Sequence, residues 1–219
     1  MKGIAIYVEG GGDNVHQKAE LRRGLDMLLK SQKDAARTKK MRWKLVPCGS
    51  RGAAYDAFMN SLHSDDAFIN VLLIDSEEGI SARITNDETE NARIRVAHLT
   101  QRDGWNLAVV DPKQVHLMVQ CMEAWIVSDP EALAQFYGQG FLRNALSSRQ
   151  NLEDEPKPDI YETLARTTRN TQKGEYGKIK HASKLLERID PSEVVRRCPH
   201  FSIFIQWLDH EIADDPRNG

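Results

Sequence analysis

Residues 68–74 read FINVLLI, and this run limits what the chain can fold into more than any other feature. It is apolar, rich in β-branched side chains and only a few residues long, which marks a central strand covered on both faces of a parallel sheet. It stops at Asp75-Ser76-Glu77-Glu78. A covered strand that ends in carboxylates delivers charge to the edge of the sheet where the loops of an α/β fold converge.

The rest of the first half supports that sheet. Gly3 to Val8 reads as a first strand, residues 43–46 as a second and residues 115–119 as a fourth. Between them, Leu21, Leu25, Leu28 and Leu29 fall at i, i+4, i+7 and i+8, the spacing of one helical stripe. Asp13 is the expected cap of that helix. Ser50 is positioned to cap another, buried through Ala54, Ala57, Phe58 and Leu62. Alternation of this kind predicts βαβ units: a Rossmann-like α/β parallel sheet flanked by helices over residues 1–128. Residues 129–219 read as a mainly helical region packed on it. There Asp129-Pro130 and Asp190-Pro191 each place a cap residue before a first-turn proline. Residues 151–159, NLEDEPKPD, are the best linker candidate, and residues 79–93 read as a long loop.

Composition excludes whole classes of function. With 219 residues, 40% hydrophobic and 28% charged, the chain is too apolar for disorder and too polar for a membrane bundle. No run approaches the ~18 apolar residues of a spanning helix, and the short apolar start meets Glu9 and glycines where a cleavage site would stand, so cytoplasmic residence without membrane contact is expected. Cys48, Cys121 and Cys198 are far apart and form no metal-binding pair. EGGGDN lacks both the Lys-Ser/Thr of a Walker loop and GxGxxG spacing, so ATP and NAD binding are not supported. The net charge of −2 conceals an uneven distribution. Positions 18–44 hold ten Lys or Arg against three acids, whereas positions 75–90 hold six acids and one arginine. A basic flank beside an acidic pocket suits a metal-dependent enzyme acting on a polyanion.

The candidate chemistry sits at strand ends. Glu9 leaves the first strand and Asp75 with Glu77 the third, so adjacent strands would bring three carboxylates together. Such an oxygen-rich cluster suits Mg²⁺ or Mn²⁺, and the glycines after Glu9 allow close backbone approach to a phosphate or metal. Glu123, among Met122, Trp125 and Ile126, needs a buried partner, either a metal or a basic residue. Asp129 reads as a helix cap, Glu78 as a surface residue and His116 as a core histidine. Lys178, His181 and Lys184 recur at i, i+3 and i+6, the wet face of an amphipathic helix with Ile179 on its apolar side. Lys18, Arg22, Arg23 and Arg51 are candidate nucleic-acid contacts, Arg51 because it opens a helix where backbone amides already favour anions.

A strand ending in Glu-Gly, followed about 65 residues later by one ending in Asp-x-Asp/Glu, resembles the Toprim domain of topoisomerases, bacterial primases and OLD-type nucleases. The stretches YVEGGGD, LRRGL, VPCGSRGAAYDAF, VLLIDSEE, HLMVQCMEAWIVSDPEALAQFYG, KGEYGKIKHASKLL and CPHF resemble the bacterial, Toprim-like DUF4276 family over most of the chain. That resemblance implies Glu9 as general acid/base or metal ligand, and Asp75 and Glu77 as holders of a divalent ion. The pairing of Toprim acids with a lysine in OLD-type nucleases makes Lys178 a candidate catalytic residue. It implies a metal-dependent nuclease acting on DNA or RNA in antiviral defence beside an AAA/ABC-type ATPase, or a non-catalytic nucleic-acid-binding or regulatory subunit of such a complex. Glutamate as the second acid leaves one-metal and two-metal geometries both open, and a homo-oligomer also stays open. Topoisomerase and primase activities need domains for which this chain has no room. Phosphoryl transfer on a small molecule would need a closed pocket.

Overall fold

The computed structural model describes residues 2–63, 67–80 and 84–214. Four parallel strands form its sheet: β1 (Gly3–Val8), β2 (Arg42–Pro47), β3 (Phe68–Asp75) and β4 (Val115–Met118), in the order β2-β1-β3-β4. β1 pairs with β2 on one side, Gly3 opposite Arg42, and with β3 on the other, Gly3 opposite Phe68. All six residues of β1 are buried, as are the last six of β3. The edge strand β2 instead exposes Arg42 and Lys44, charges that discourage pairing with another chain.

The order of the strands positions the site. The chain steps outward from β1 to β2, then returns across β1 to place β3 on its other flank. The direction of winding therefore reverses between β1 and β3, and loops leaving those two strands diverge to open a crevice at their carboxyl ends.

Side-chain alternation sends the two faces of the sheet to different partners. Ile4, Ile6, Val8, Val71 and Leu73 pack in one cluster with α1 (Val15–Leu28) and α2 (Lys30–Thr38). Ala5, Tyr7, Leu72, Ile74, Val115 and Leu117 pack in another with α3 (Arg51–Ser61) and α4 (Glu88–Asp103). The C-terminal helices join the first cluster: α5 (Glu123–Val127), α6 (Pro130–Tyr137), α7 (Lys157–Thr168), α8 (Ser183–Leu186), α9 (Pro191–Arg197) and α10 (Pro199–Ala213). Trp125, Phe201, Phe204 and Leu208 thus share one core with Ile4 and Ile6. Gly24 makes the contact between α1 and α8 close, since a Cβ there would sit 2.6 Å from the Ser183 carbonyl oxygen. Among the described residues, no helix is long and apolar enough to cross a membrane.

Several sequence expectations need correction. Asn14, not Asp13, caps α1 by accepting from the Gln17 amide at 2.9 Å, because the cap is the residue directly before the first helical one. Residues 151–159 are no linker: Leu152 and Glu153 are buried, and the two prolines serve as N-cap and first-turn residue of α7. Residues 81–83 of the expected loop lie outside the described residues, and from Glu88 onward the chain is α4, capped by Asp87. That helix buries only Asn91, Ala92, Arg95 and Leu99, too few apolar positions to show a stripe. The basic stretch also divides. Because α1 returns the chain from the carboxyl end of β1 to the amino end of β2, α2 and Arg42 lie at the far end of the sheet from the acids, and only the early part of α1 flanks them. Ser50, Asp129 and Asp190 cap α3, α6 and α9 as expected, and His116 is buried against Phe204 and Trp207.

Candidate metal centre

Glu9 follows β1 directly, while Asp75 ends β3 and Glu77 lies two residues beyond it. One carboxylate oxygen from each lies within 4.8 Å of the other two. The three acids anticipated as a cluster therefore do meet, in the crevice between β1 and β3.

Backbone geometry holds them there. Pairing between β3 and β4 continues past the strands, with Ser76 N–H donating to Met118 O at 3.0 Å and Glu77 N–H to Gln120 O at 3.0 Å. Glu77 and Gln120 have φ of 71° and 61°, a left-handed conformation uncommon for residues with a side chain. Such strain persists where surrounding structure enforces it, often at functional sites. The Gln120 amide donates to Ser76 Oγ at 2.8 Å, and the Met122 amide donates to Asp75 Oδ1 at 2.8 Å. The loop after β4 consequently fixes one oxygen of Asp75 and leaves Oδ2 facing the cations.

Four basic residues surround the acids. Arg51 lies 3.3 Å from Glu9 Oε2 and also donates to the Asp75 carbonyl. It is held by a two-pronged pair with Asp103, at 3.0 and 2.6 Å, and by the Trp105 ring, 5.2 Å away. A guanidinium so engaged positions Glu9 rather than standing free for phosphate. Lys157, from the first turn of α7, lies 2.7 Å from Glu77 Oε1 and 3.8 Å from Asp75 Oδ2. Lys178 lies 3.4 Å from Asp75 Oδ2 and 3.7 Å from Glu123 Oε2. The fourth, Arg102, pairs with Asp103 at 2.5 Å and its charge also acts on Glu77.

Glu123 opens α5 with its side chain fully buried. Oε1 accepts from the Tyr176 hydroxyl at 3.0 Å, whereas Oε2 has no hydrogen-bond partner among the described residues. Burial without full satisfaction is costly for a carboxylate. The same crowding moves proton affinities. Burial, with Glu123 and Glu9 adding repulsion against the pull of Lys178 and Lys157, pushes Asp75 up to about 7. Burial also raises Glu9 despite Arg51. For Glu77 burial pushes upward, but the bond to Lys157 together with the charges of Lys157, Arg102 and Arg51 outweighs it and holds the carboxyl low. For Lys178, burial opposes the charge but Asp75 and Glu123 outweigh it, so its ammonium is held firmly protonated.

The expected wet helical face does not form. Lys178–Ala182 make a single π-helical turn, in which Lys178 points inward, His181 is buried and Ile179 is 53% exposed. A π turn inserts one residue per turn and so rotates the side chains off the α-helical periodicity that the sequence suggested. Of the other predicted contacts, the Arg22 guanidinium donates to Leu45 O at 2.9 Å, and Arg23 pairs with Glu187 at 2.7 Å on the surface. Lys18 stands beside Gly49 at the glycine loop. Glu78 is exposed and Asp129 caps α6, so neither joins the centre. Sequence reasoning missed Lys157, Tyr176 and Asp103. Lys157 was hidden in a proline-flanked segment that looked like a linker.

Three carboxylates plus the unsatisfied oxygen of Glu123 offer oxygen donors only, the set that a hard divalent cation takes. The cluster could hold a metal ion. No curated protein and no solved structure matches the chain. A family model does match, over residues 8–209, and on that span, which includes every residue of the centre, the chain belongs to the DUF4276 family, a domain of unknown function.

Proposed function

We propose that this protein is a Mg²⁺- or Mn²⁺-dependent phosphodiester hydrolase of Toprim type, acting on nucleic acid. The observation that carries the reading is the convergence of Glu9, Asp75 and Glu77 within 4.8 Å at the reversal point of a parallel sheet, with two lysines facing them. Asp75, Glu77 and Glu9 would hold the ion, with Glu123 beside them. When bound there, such an ion would supply Lewis-acid chemistry, polarising a phosphate and making a bound water more acidic.

The chain's own residues supply the rest. Glu9, its proton affinity raised by burial and its orientation set by Arg51, accepts a proton from the attacking water. Lys178 stays charged while half-buried against Asp75, so it offsets charge that builds on the phosphoryl oxygens. Lys157 keeps Glu77 ionised, the form in which a carboxylate binds a cation. The Tyr176 hydroxyl fixes one oxygen of Glu123 and turns the other toward Lys178. The family resemblance supports a cytoplasmic setting in bacterial antiviral defence, with an AAA/ABC-type ATPase as partner.

The test is a cleavage panel of plasmid, single-stranded DNA and tRNA in Mg²⁺ and Mn²⁺, comparing wild type with Glu9→Ala and Asp75→Ala. Metal-dependent cutting by wild type and none by either variant is the expected result. Undiminished cutting by Asp75→Ala would refute the assignment. One observation favours the non-catalytic alternative: each acid already has a cation nearby, so much of the negative charge in the centre is offset without a metal. Mn²⁺ titration separates the two, because a purely structural cluster would not bind the ion through Asp75.

A further inference from the structure

Beside the carboxylates lies a cavity of about 200 Å³ whose walls include Gly11, Gly12, Leu21, Met122 and Ile179. We propose that it is a subsite for a single nucleoside of the substrate, the one bonded to the phosphate at the carboxylates; this rests on the hydrolase reading above. Glu9 and Lys178 line the cavity and also belong to the metal centre, so the two spaces are continuous.

Its chemistry suits a nucleoside better than a bare anion. The π turn at Lys178–Ala182 points the charged residue inward and leaves its apolar neighbour Ile179 53% exposed at the mouth. Ile179 reaches across to the glycine loop, where a Cβ on Gly12 would lie 3.5 Å from Ile179 Cδ1. With Leu21 and Met122 it forms an apolar clamp of the kind that grips the face of an unpaired base. The opposite wall is polar backbone. Gly10, Gly11 and Gly12 have φ of 113°, 86° and 61°, and the Gly10 amide is used in its bridge to Gly49. Among the described residues, the amides of Gly11 and Gly12 donate to no backbone acceptor, and the Gln17 side chain, which also lines the cavity, packs against Gly12 and adds an amide to this wall. A side chain at Gly10 would narrow the space, since a Cβ there would sit 3.1 Å from Leu21 Cδ2.

The amine of Lys18 lies 3.6 Å from where a Gly49 Cβ would stand, at the outer side of the loop, where the next phosphate of the strand would pass. The volume admits one nucleoside and no base pair. Substrates should therefore be single-stranded or unpaired at this position.

Calorimetry with thymidine 5′-monophosphate and with inorganic phosphate, both in Ca²⁺, tests the subsite without turnover. Wild type should bind the nucleotide about tenfold more tightly than phosphate, and Ile179→Asn should reduce that preference to about twofold or less while phosphate affinity holds. Ile179→Leu should retain it, and since Ile179 is half in solvent neither change threatens folding. Equal affinity of wild type for the two ligands, or unchanged nucleotide affinity in Ile179→Asn, overturns the subsite. Hydrolysis of bis(p-nitrophenyl) phosphate and of a dinucleotide in Mn²⁺ separates the two readings. Nucleotide preference with no hydrolysis of either compound refutes the hydrolase and upholds the pocket. Hydrolysis by wild type with an unchanged dinucleotide KM in Ile179→Asn refutes the pocket alone.

Discussion

Among the described residues two glutamates are buried, at different points, and they are treated in opposite ways. Glu153, where the chain approaches α7, accepts from the His200 amide at 2.8 Å and contacts the His200 ring nitrogen at 2.6 Å, so both of its oxygens are engaged. Glu123, beside the acidic cluster, has one oxygen engaged by Tyr176 and the other without a hydrogen bond. The first arrangement locks the start of α10 to the rest of the fold. The second leaves a buried oxygen with no hydrogen bond and only the Lys178 amine near it, at 3.7 Å, an arrangement that a bound cation would complete. Satisfaction of hydrogen bonds, rather than burial, is therefore what distinguishes the two carboxylates.

The largest expected effect sharpens that contrast. Asp75→Asn removes the charge at the middle of the centre but preserves shape, so Mn²⁺ binding should weaken by at least about a hundredfold and metal-dependent activity should vanish. The metal-free fold should be as stable as wild type or more so, because a buried charge among like charges has been neutralised. A clear fall in Tm without metal would mean that Asp75 supports the fold as Glu153 does.

Glu153→Ala should do the reverse. Losing both bonds to His200 should cost roughly 3 kcal/mol, read as a drop in Tm of about 10 °C, with Mn²⁺ affinity unchanged. Loss of metal binding at temperatures where the variant remains folded would show that the two regions are coupled. The route for such coupling exists, since the Gln120 side chain donates to Glu153 O at 3.2 Å and accepts from the Lys157 amide at 3.2 Å.

Acidity gives a third way to break the comparison. Asp75 holds its proton up to about 7 when folded, against 3.8 ordinarily, so the native state binds more protons than the unfolded one between those values. The stability Asp75 contributes is complete below about 4 and is lost as pH rises through 7. Glu77, held low by Lys157, acts oppositely, with stability present above 4.5 and lost on acidification. In EDTA, the Tm of wild type should fall between pH 5 and pH 8, and Asp75→Asn should flatten that fall. Mn²⁺ should restore the loss at pH 8, where the carboxylate is ionised. A wild-type profile identical to that of Asp75→Asn would remove Asp75 as the proton-holding group.

How much of this was legible beforehand follows from the range of the forces involved. Strands β1 and β3 announce themselves because they are covered on both faces, and local composition alone signals that. The acids at their ends could be paired because parallel order and the reversal point are properties of the whole sheet. Lys157 and Tyr176 were not legible: each reaches the centre through tertiary packing of the C-terminal helices, and no spacing in the chain records it. The inward turn of Lys178 was misread for a related reason. A π turn breaks the helical period on which the assignment of faces depends, so Ile179 and Lys178 exchanged places relative to expectation.

The smallest effect belongs to a charge of neither buried class. Arg23 is 65% exposed and pairs with Glu187 at 2.7 Å across the contact of α1 with α8. An exposed pair of this kind contributes under about 1 kcal/mol, since water already solvates both partners and salt screens what remains. Arg23→Ala should therefore lower Tm by only a degree or two. If Arg23 also touches the phosphate backbone, the variant should bind every nucleic-acid sequence slightly less well, and the dependence of log K on log salt should become shallower by about one. An unchanged salt slope would confine Arg23 to Glu187, just past α8, and restrict the basic contact surface to Lys18 and the glycine loop, close to the carboxylates.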